Sequence, residues 1–521
     1  MNDVDKARSE IVISQIEENK RVLFITGRAG TGKSTLLRRL VSETKKKHAV
    51  LAPTGIAAVN IGGETIHSFF KFKPGITPDE AGKLGRRTRF QIYARLDLII
   101  VDEVSMVRAD LMDCMDAFLK GARDNFEPFG GVQVVLFGDM YQLEPVVTGD
   151  EKDALYRRYE SAYFFSSHVF KEILEHTGEQ LVELVELTKV FRQKDEYFIE
   201  ILDNIRKHTF TERHLDDLNR CAVDQLDYGI DDRIYLTGTN SKAAEINSVN
   251  LEKIPNPRHA IPGILEGNFS EKLLPTDHVL NIKQHARIMM LNNDLDGRWM
   301  NGSLGVIMEI NKDSVLVRLD DGKEHIVLPH TWTNYKFIYD LSTDTIKKDT
   351  AGTFTQYPLK LAWAITIHKS QGQTFDKVAI CLGDRAFAHG QTYVALSRCR
   401  SLEGIVLERP IYPRDIMVDD KVSKFLNDLR KYVLSWKFPV GEKQEIIRHA
   451  INNQSLLEVT MLDILGDVKQ HIVKPVLLIN SGITHTLNCI DMDENDMKDI
   501  QIDEIISLAE GKHQALLSRE K

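Results

Sequence analysis

The sequence predicts an α/β protein with two parallel sheets and two added β-rich segments. Three observations carry that reading. Continuous apolar runs alternate with helical stretches through Asp150: VLFIT, AVLA, LDLIIVDE and VQVVLFGD. Strands of that kind, separated by helices, belong to parallel sheets buried on both faces. The same texture resumes at Arg233 with IYLTGTN and the helical KAAEINSVN, and returns at Pro358 with LKLAWAITIHKSQG and KVAICLG. Between them, residues 285–356 carry ARIMMLNND, SLGVIMEI, SVLVRLDDG and KEHIVL. These are short alternating strands with Asn-Asp, Asn-Gly and Asp-Gly turns, the signature of a small inserted β-barrel.

The 521 residues suggest three to five domains, at about 100–200 residues each. The formal net charge is −9, which argues against a bulk polyanion binder, since such domains are usually basic. The acidity is uneven, however. Residues 441–521 hold 8 Lys and Arg against 14 Asp and Glu, which leaves 1–440 near neutral, with basic stretches such as KLGRRTR. No apolar run reaches the ~18 residues of a membrane span. The opening MNDVDKARSE lacks an apolar signal core, and five scattered cysteines form no CxxC pair. The expectation is a reducing cytosol, no membrane, and no zinc or iron–sulfur site.

Gly27-Arg-Ala-Gly-Thr-Gly-Lys33-Ser34 fits GxxxxGK[ST] between the strand VLFIT and the helix STLLRRLVSE. In that context glycines let backbone N–H groups curl around phosphate oxygens at a helix N-terminus. Gly27, Ala29, Gly30, Thr31, Gly32, Lys33, Ser34 and Thr35 are the candidate nucleotide-binding residues. Lys33 would neutralise the β- and γ-phosphates, and Ser34 would hold Mg²⁺. At the end of LIIVDE, Asp102 would join the Mg²⁺ shell and Glu103 would deprotonate the attacking water. Gln142, in LFGDMYQLEPV, could report the γ-phosphate. Phosphoryl transfer also wants positive charge from outside the loop, for which Arg192 in LTKVFRQ and Arg398 in YVALSRCR are candidates.

Taken in order, GRAGTGKS, APTGIAAVNIGGETIHSFF, LIIVDEVSMV, FGDMYQLEPV, LTKVFRQ, WAITIHKSQGQTFD and YVALSRCRSLEG resemble superfamily 1 helicases, most closely the Pif/RecD branch. The resemblance covers residues 20–435. It implies two RecA-like P-loop NTPase domains with ATP in the cleft between them: residues 1–175, then 176–284 with 357–440. It also implies a wedge insertion, here 71–95, and an SH3-like insertion, here 285–356. ATP and Mg²⁺ are the implied cofactors. The implied partners are single-stranded DNA and single-strand/duplex junctions, with G-quadruplexes or RNA–DNA hybrids as possible substrates. The implied activity is 5′-to-3′ translocation with unwinding by a monomeric, nucleoid-associated motor. Thr54, Gly55 and His67 in the first domain stand at the strand-contacting positions of the family. So do Thr239, Asn240, Thr366, His368, Lys369, Ser370 and Gln371 in the second. Hydroxyls, amides and backbone N–H groups at loop tips suit sequence-independent phosphate contacts. The family's adenine-reading glutamine has one upstream counterpart, Gln15, at a short spacing from Thr26.

From 441 the text changes to a helix followed by short strands. The pattern AINN, LLEVTML, Gly466, Pro475, THTLNCID and IQIDEIISL resembles a WYL domain over 441–513. Of its name-giving triplet only Leu487 remains, with His485 and Thr486 in the other two places. Two other functions share the same motor residues or domain plan. One is a translocase that strips proteins without unwinding. The other is a ligand-sensing regulator with an ATPase switch.

Overall fold

Strand β1 (Val22–Gly27) is buried along its whole length, as a central parallel strand must be. The computed structural model describes all residues except 1–2, 19–21, 74, 89, 148, 177, 225, 227–232, 272–273, 295, 341–344, 463–467, 482–483 and 511–521. The chain divides into two compact units, Met1–Glu172 with Val185–Val418, and Ile173–Leu184 with Asp419–Lys521.

Strand β1 joins β2 (His48–Ala52), β3 (Glu64–Thr65), β4 (Leu98–Val101), β5 (Gln133–Gly138) and β6 (Val182–Leu187, of which Val185–Leu187 fall in the first unit) in the order β3-β2-β4-β5-β1-β6. The pairs β1–β5, β4–β5, β2–β4 and β2–β3 are parallel. Beside β1, a Cβ on Gly27 would lie 2.5 Å from the Leu187 carbonyl oxygen. The first sheet therefore runs past the expected boundary at 175. The expected wedge contains the helices Pro78–Arg87 and Gln91–Arg95. The first of these starts in a Thr77/Glu80 capping box, which satisfies two free backbone donors. Tyr93 packs edge-on against Phe118 at 4.7 Å, inside a cluster that includes Phe69 and Phe70.

The second sheet is built from β7 (Ile234–Thr237) and three later strands, with the β-rich insertion between. The insertion starts at β8 (Arg258–Pro262), not at 285. It continues through β9 (Ile264–Gly267), β10 (Val279–Lys283), β11 (Arg287–Met290), β12 (Leu304–Ile310), β13 (Val315–Leu319), β14 (Glu324–Val327), β15 (His330–Asp340), β16 (Thr345–Gln356) and β17 (Leu359–Leu361). Strands β8 and β9 are mostly exposed, so they lack the apolar alternation by which a strand is read from sequence. Three antiparallel sheets result: β14-β13-β12-β11-β17, β15-β16-β9 and β10-β8. The β15–β16 hairpin reaches the first sheet's side. The Phe337 N–H donates to Glu64 Oε2 at 3.3 Å, and the Phe69 and Phe337 rings meet at 6.0 Å. The second parallel sheet then closes with β18 (Ala364–Thr366), β19 (Val378–Cys381) and β20 (Ile405–Leu407), in the order β18-β7-β19-β20.

The other unit takes in Ile173–Leu184 and the C-terminal segment from Asp419, a start earlier than the expected 441. Its helix Val440–Asn453 packs Ile447 and Ala450 into a core with Leu457, Val459, Val473 and Leu487. The sheet is antiparallel, β24-β23-β22-β21-β25, formed by Leu457–Leu462, Val468–Ser481, Thr484–Asp491, Asp496–Gln501 and Ile505–Glu510 as β21 to β25. Gly466 lies outside the described residues. Among the described residues, no helix is long and apolar enough to cross a membrane.

Candidate nucleotide site and strand-facing loops

The loop after β1 turns on Gly30 (φ 80°) and Gly32 (φ 87°), a backbone region that glycine enters without penalty. Gly32 caps the helix Lys33–Glu43. Its first-turn N–H groups and dipole favour an anion there. Thr31 Oγ1 donates to Arg28 O at 2.9 Å, and Lys33 Nζ donates to Gly27 O and Arg28 O at 2.7 and 3.0 Å. Burial lowers the Lys33 pKa, while Asp139, Glu103 and Asp102 oppose that shift.

Asp102 and Glu103 follow β4, next to β2 and β5 in the sheet. Burial raises both carboxyls. The neighbouring Asp102 charge helps push Glu103 up to about 7. Glu103 also holds a left-handed backbone (φ 50°), strain of the kind concentrated at functional sites. Two buried, mutually repelling carboxyls are relieved by a hard dication, and hard dications take oxygen ligands. Asp102, with the exposed Ser34 hydroxyl, is a donor set that fits Mg²⁺.

Two arginines supply cations, Arg398 from between β19 and β20 of the second sheet and Arg192 from the segment after β6 of the first. Arg398 is 1% exposed. Its guanidinium donates to Val394 O (2.9 Å), Ser370 O (3.3 Å), Gln373 O (3.4 Å) and Ser397 Oγ (2.9 Å). Arg192 donates to Ser397 O at 3.0 Å. All of these acceptors are neutral. Burial, aided by the nearby Arg192 charge, pushes Arg398 down to about 9. The backbone of the Arg192 segment sits directly on the loop: the Phe191 N–H donates to Gly30 O at 2.9 Å.

Sequence reading missed four residues that organise this cleft. Asp139, after β5, is fully buried and accepts from Arg206 Nη2 and Nε at 2.9 and 3.2 Å. Tyr393 accepts the Ala29 N–H at 3.0 Å and donates to Asp139 Oδ2 at 3.3 Å. Phe191, 50% exposed, stands near Gly32 and presents a ring at the loop. Asp139, Tyr393 and Phe191 lie inside quoted motif text, so their signal was present. Arg206 offers only a place on an amphipathic helix.

Gln15 is not brought to the loop. Its neighbour Glu17 accepts from Thr44 Oγ1, Lys46 donates to Ile16 O, and Glu10 pairs with Arg39. Those contacts put this part of the first helix against the C-terminal end of Lys33–Glu43, about 16 Å from its start at 1.5 Å per residue. A role for Gln15 in reading adenine is therefore corrected.

The expected strand-contacting residues divide. Thr54 and Thr239 cap the helices that begin at Gly55 and Asn240. The half-buried His67 and His368 have their pKa values lowered by burial. Lys369 and Gln371 lie on the turn after β18, where Gln371 Nε2 donates to Gln142 Oε1 at 3.5 Å. Thr366 and Ser370 are corrected: both are buried. Thr366 Oγ1 accepts from the Lys369 N–H, and Ser370 Oγ donates to Ile367 O. Their hydroxyls hold the turn rather than face a strand.

A family model described as PIF1-like helicase matches residues 2–215, and one described simply as helicase matches 336–429. The ATP-dependent DNA helicase Pif1 of Bdellovibrio bacteriovorus is 33% identical over 414 residues, covering 77% of this chain and 87% of that protein. The chain belongs to the PIF1-like helicase family. Family members from animals are longer. ATP-dependent DNA helicase PIF1 of Danio rerio is 33% identical over 81% of this chain, which spans 63% of that relative's length. The crystal structure of a Bacteroides Pif1 in complex with ADP-AlF4 matches with TM-score 0.74 and 37% identity, over 81% of this chain and 96% of that one. The Bacteroides Pif1 bound to ssDNA matches with TM-score 0.57 and 37% identity, over 80% of this chain and 95% of that one.

Proposed function

We propose that the chain is an ATP-dependent DNA helicase that moves 5′ to 3′ on single-stranded DNA and opens duplexes. The observation that carries this reading is the pair Arg192 and Arg398. Among the described residues, both guanidinium groups are held by neutral oxygens close to the phosphate loop. The Glu103 and Asp139 charges act on Arg398, but a buried cation hydrogen-bonded only to neutral oxygens is costly, and a polyphosphate anion would supply a direct counter-charge. Lys33 neutralises the β- and γ-phosphates. Glu103 accepts the proton of the attacking water, and Arg192 and Arg398 stabilise the developing charge. Ser34 and Asp102 would hold Mg²⁺, which would supply charge neutralisation of the phosphate oxygens. Phe191 stacks on the base in place of the displaced Gln15, and stacking is tolerant of base identity.

Because Arg398 comes from the second sheet, between β19 and β20, while Arg192 follows β6 of the first, nucleotide binding against both draws the two sheets together. Strand grip then falls to Thr54, Gly55 and His67 on one side, and to Thr239, Asn240, His368, Lys369 and Gln371 on the other. Support for single-stranded DNA as the track comes from the ssDNA-bound Bacteroides relative. Junctions, G-quadruplexes and RNA–DNA hybrids are candidate obstacles. The β-rich segment 441–521 is a regulatory or protein-contact appendage that resembles a WYL domain. The test is unwinding of duplexes with a 5′ or a 3′ single-stranded tail. Opening from 5′ tails supports the reading, and opening only from 3′ tails overturns the polarity.

A further inference from the structure

A buried line of hydrogen bonds joins the nucleotide loop to the strand-facing turn. The Ala29 N–H donates to Tyr393 Oη at 3.0 Å, and the Tyr393 hydroxyl donates to Asp139 Oδ2 at 3.3 Å. Gln142 Nε2 donates to that same oxygen at 3.3 Å. Gln371 Nε2 then donates to Gln142 Oε1 at 3.5 Å. Tyr393, Asp139 and Gln142 are 4%, 0% and 7% exposed, so no bulk water stands ready to replace a lost partner.

We infer that the Tyr393 hydroxyl is a positioning group that couples occupancy of the phosphate loop to the grip of the 368–371 turn on a DNA strand. The inference rests on the proposed function and adds the residue that links its two sites. The physical reason is the cost of leaving a buried donor or acceptor unpaired. A phosphate bound by the loop competes for the loop N–H groups. When the Ala29 N–H turns to phosphate, Tyr393 Oη loses its donor and must re-pair. Asp139 and Gln142 re-pair with it, and Gln371 follows. Burial holds the phenol well above its ordinary pKa, so it keeps the proton it donates. The helix carrying Tyr393 is seated tightly on the first-sheet side. A Cβ on Gly390 would lie 2.5 Å from Tyr141 O and 2.6 Å from Gln142 O. That seating favours discrete arrangements over gradual drift.

The experiment measures the affinity of the full chain for an oligothymidylate by fluorescence anisotropy, without nucleotide and with ADP–aluminium fluoride. The ratio of the two dissociation constants is the coupling factor, typically about 5–150-fold. Tyr393→Phe keeps the ring and removes the hydroxyl. The expected result is a fall in the coupling factor of about 5-fold or more toward unity. Gln371→Ala, on the turn, is expected to lower it similarly, and the double variant to lower it no further. Linkage also requires the DNA to shift analogue affinity by the same factor in the unaltered protein. A purely structural Tyr393 would lower the melting temperature and leave the factor unchanged, which overturns the inference. So would additive effects in the double variant. If Tyr393→Phe fails to fold, Gln371→Ala alone decides, and an unchanged factor overturns the inference. A protein that binds the oligonucleotide with a factor of one overturns the relay but not the helicase reading. A protein that binds none overturns both.

Discussion

Arg206→Met should destabilise the first unit strongly, and the size of the effect follows from burial. Asp139 is fully buried and takes two hydrogen bonds from Arg206, at 2.9 and 3.2 Å. Arg206 also lies over the Tyr141 ring at 4.3 Å. Methionine refills most of that volume, so the dominant loss is electrostatic. Breaking one side of a buried ion pair costs about 3–5 kcal/mol, because it strands the other charge. Lys33, Gln142 and Tyr393 still face Asp139, which favours the lower end, about 3 kcal/mol. Removing the second charge as well should relieve the strain. Arg206→Met with Asp139→Asn should therefore cost less than Arg206→Met alone, leaving a coupling energy of about 2 kcal/mol or more. The assay is urea unfolding at pH 7 followed by far-ultraviolet circular dichroism. Burial raises the Asp139 carboxyl, but Arg206, Lys33 and Gln142 together outweigh it and hold the group below its ordinary value. Its contribution is complete above the unfolded pKa near 4 and is lost as pH falls through the depressed folded value. The deficit of Arg206→Met should narrow in acid. A cost under about 1 kcal/mol at pH 7, or a double variant as costly as the sum, would refute the reasoning.

Lys33→Ala should abolish ATP hydrolysis while oligothymidylate affinity and melting temperature stay near their original values; collapse of the fold would undercut its assigned role. Glu103 must be ionised to accept a proton, so with its pKa pushed up to about 7 the single-turnover hydrolysis rate should rise with pH through an apparent pKa at or below 7. Mg²⁺ favours the carboxylate and moves that limb lower, and Glu103→Gln should remove it. Gly390→Ala places a methyl against two carbonyl oxygens at a positive φ of 71°, and should cost about 1–3 kcal/mol, read as a lowered thermal midpoint. Removing residues 441–521, with 14 acidic against 8 basic residues, should leave or raise affinity for single-stranded DNA, and a large loss would show that the appendage grips the strand.

The parallel sheets were legible because β1, β4, β5 and β19 are continuous apolar runs. The phosphate loop was legible because its chemistry fixes a spacing. The rest was hidden for physical reasons. Strand β6 reads VELVEL and is mostly half-buried, so its place beside β1 carries no strong apolar signal. Strands β8 and β9 are held by backbone ladders more than by side-chain burial, which put the start of the insertion out of reach. The Asp139–Arg206 pair spans 67 residues of sequence, a separation that no local pattern reports. Thr366 and Ser370 look like strand-contacting hydroxyls by type. Only their burial reveals that they brace the turn.

The central claim is that one cleft couples ATP hydrolysis to movement on a DNA strand. Steady-state ATP hydrolysis by the full chain, with and without saturating oligothymidylate, tests it most directly. The account predicts at least a tenfold rise in kcat, about 1.4 kcal/mol of barrier lowering, dependent on both Arg192 and Arg398. Hydrolysis that proceeds at the same rate with and without the DNA strand would contradict it.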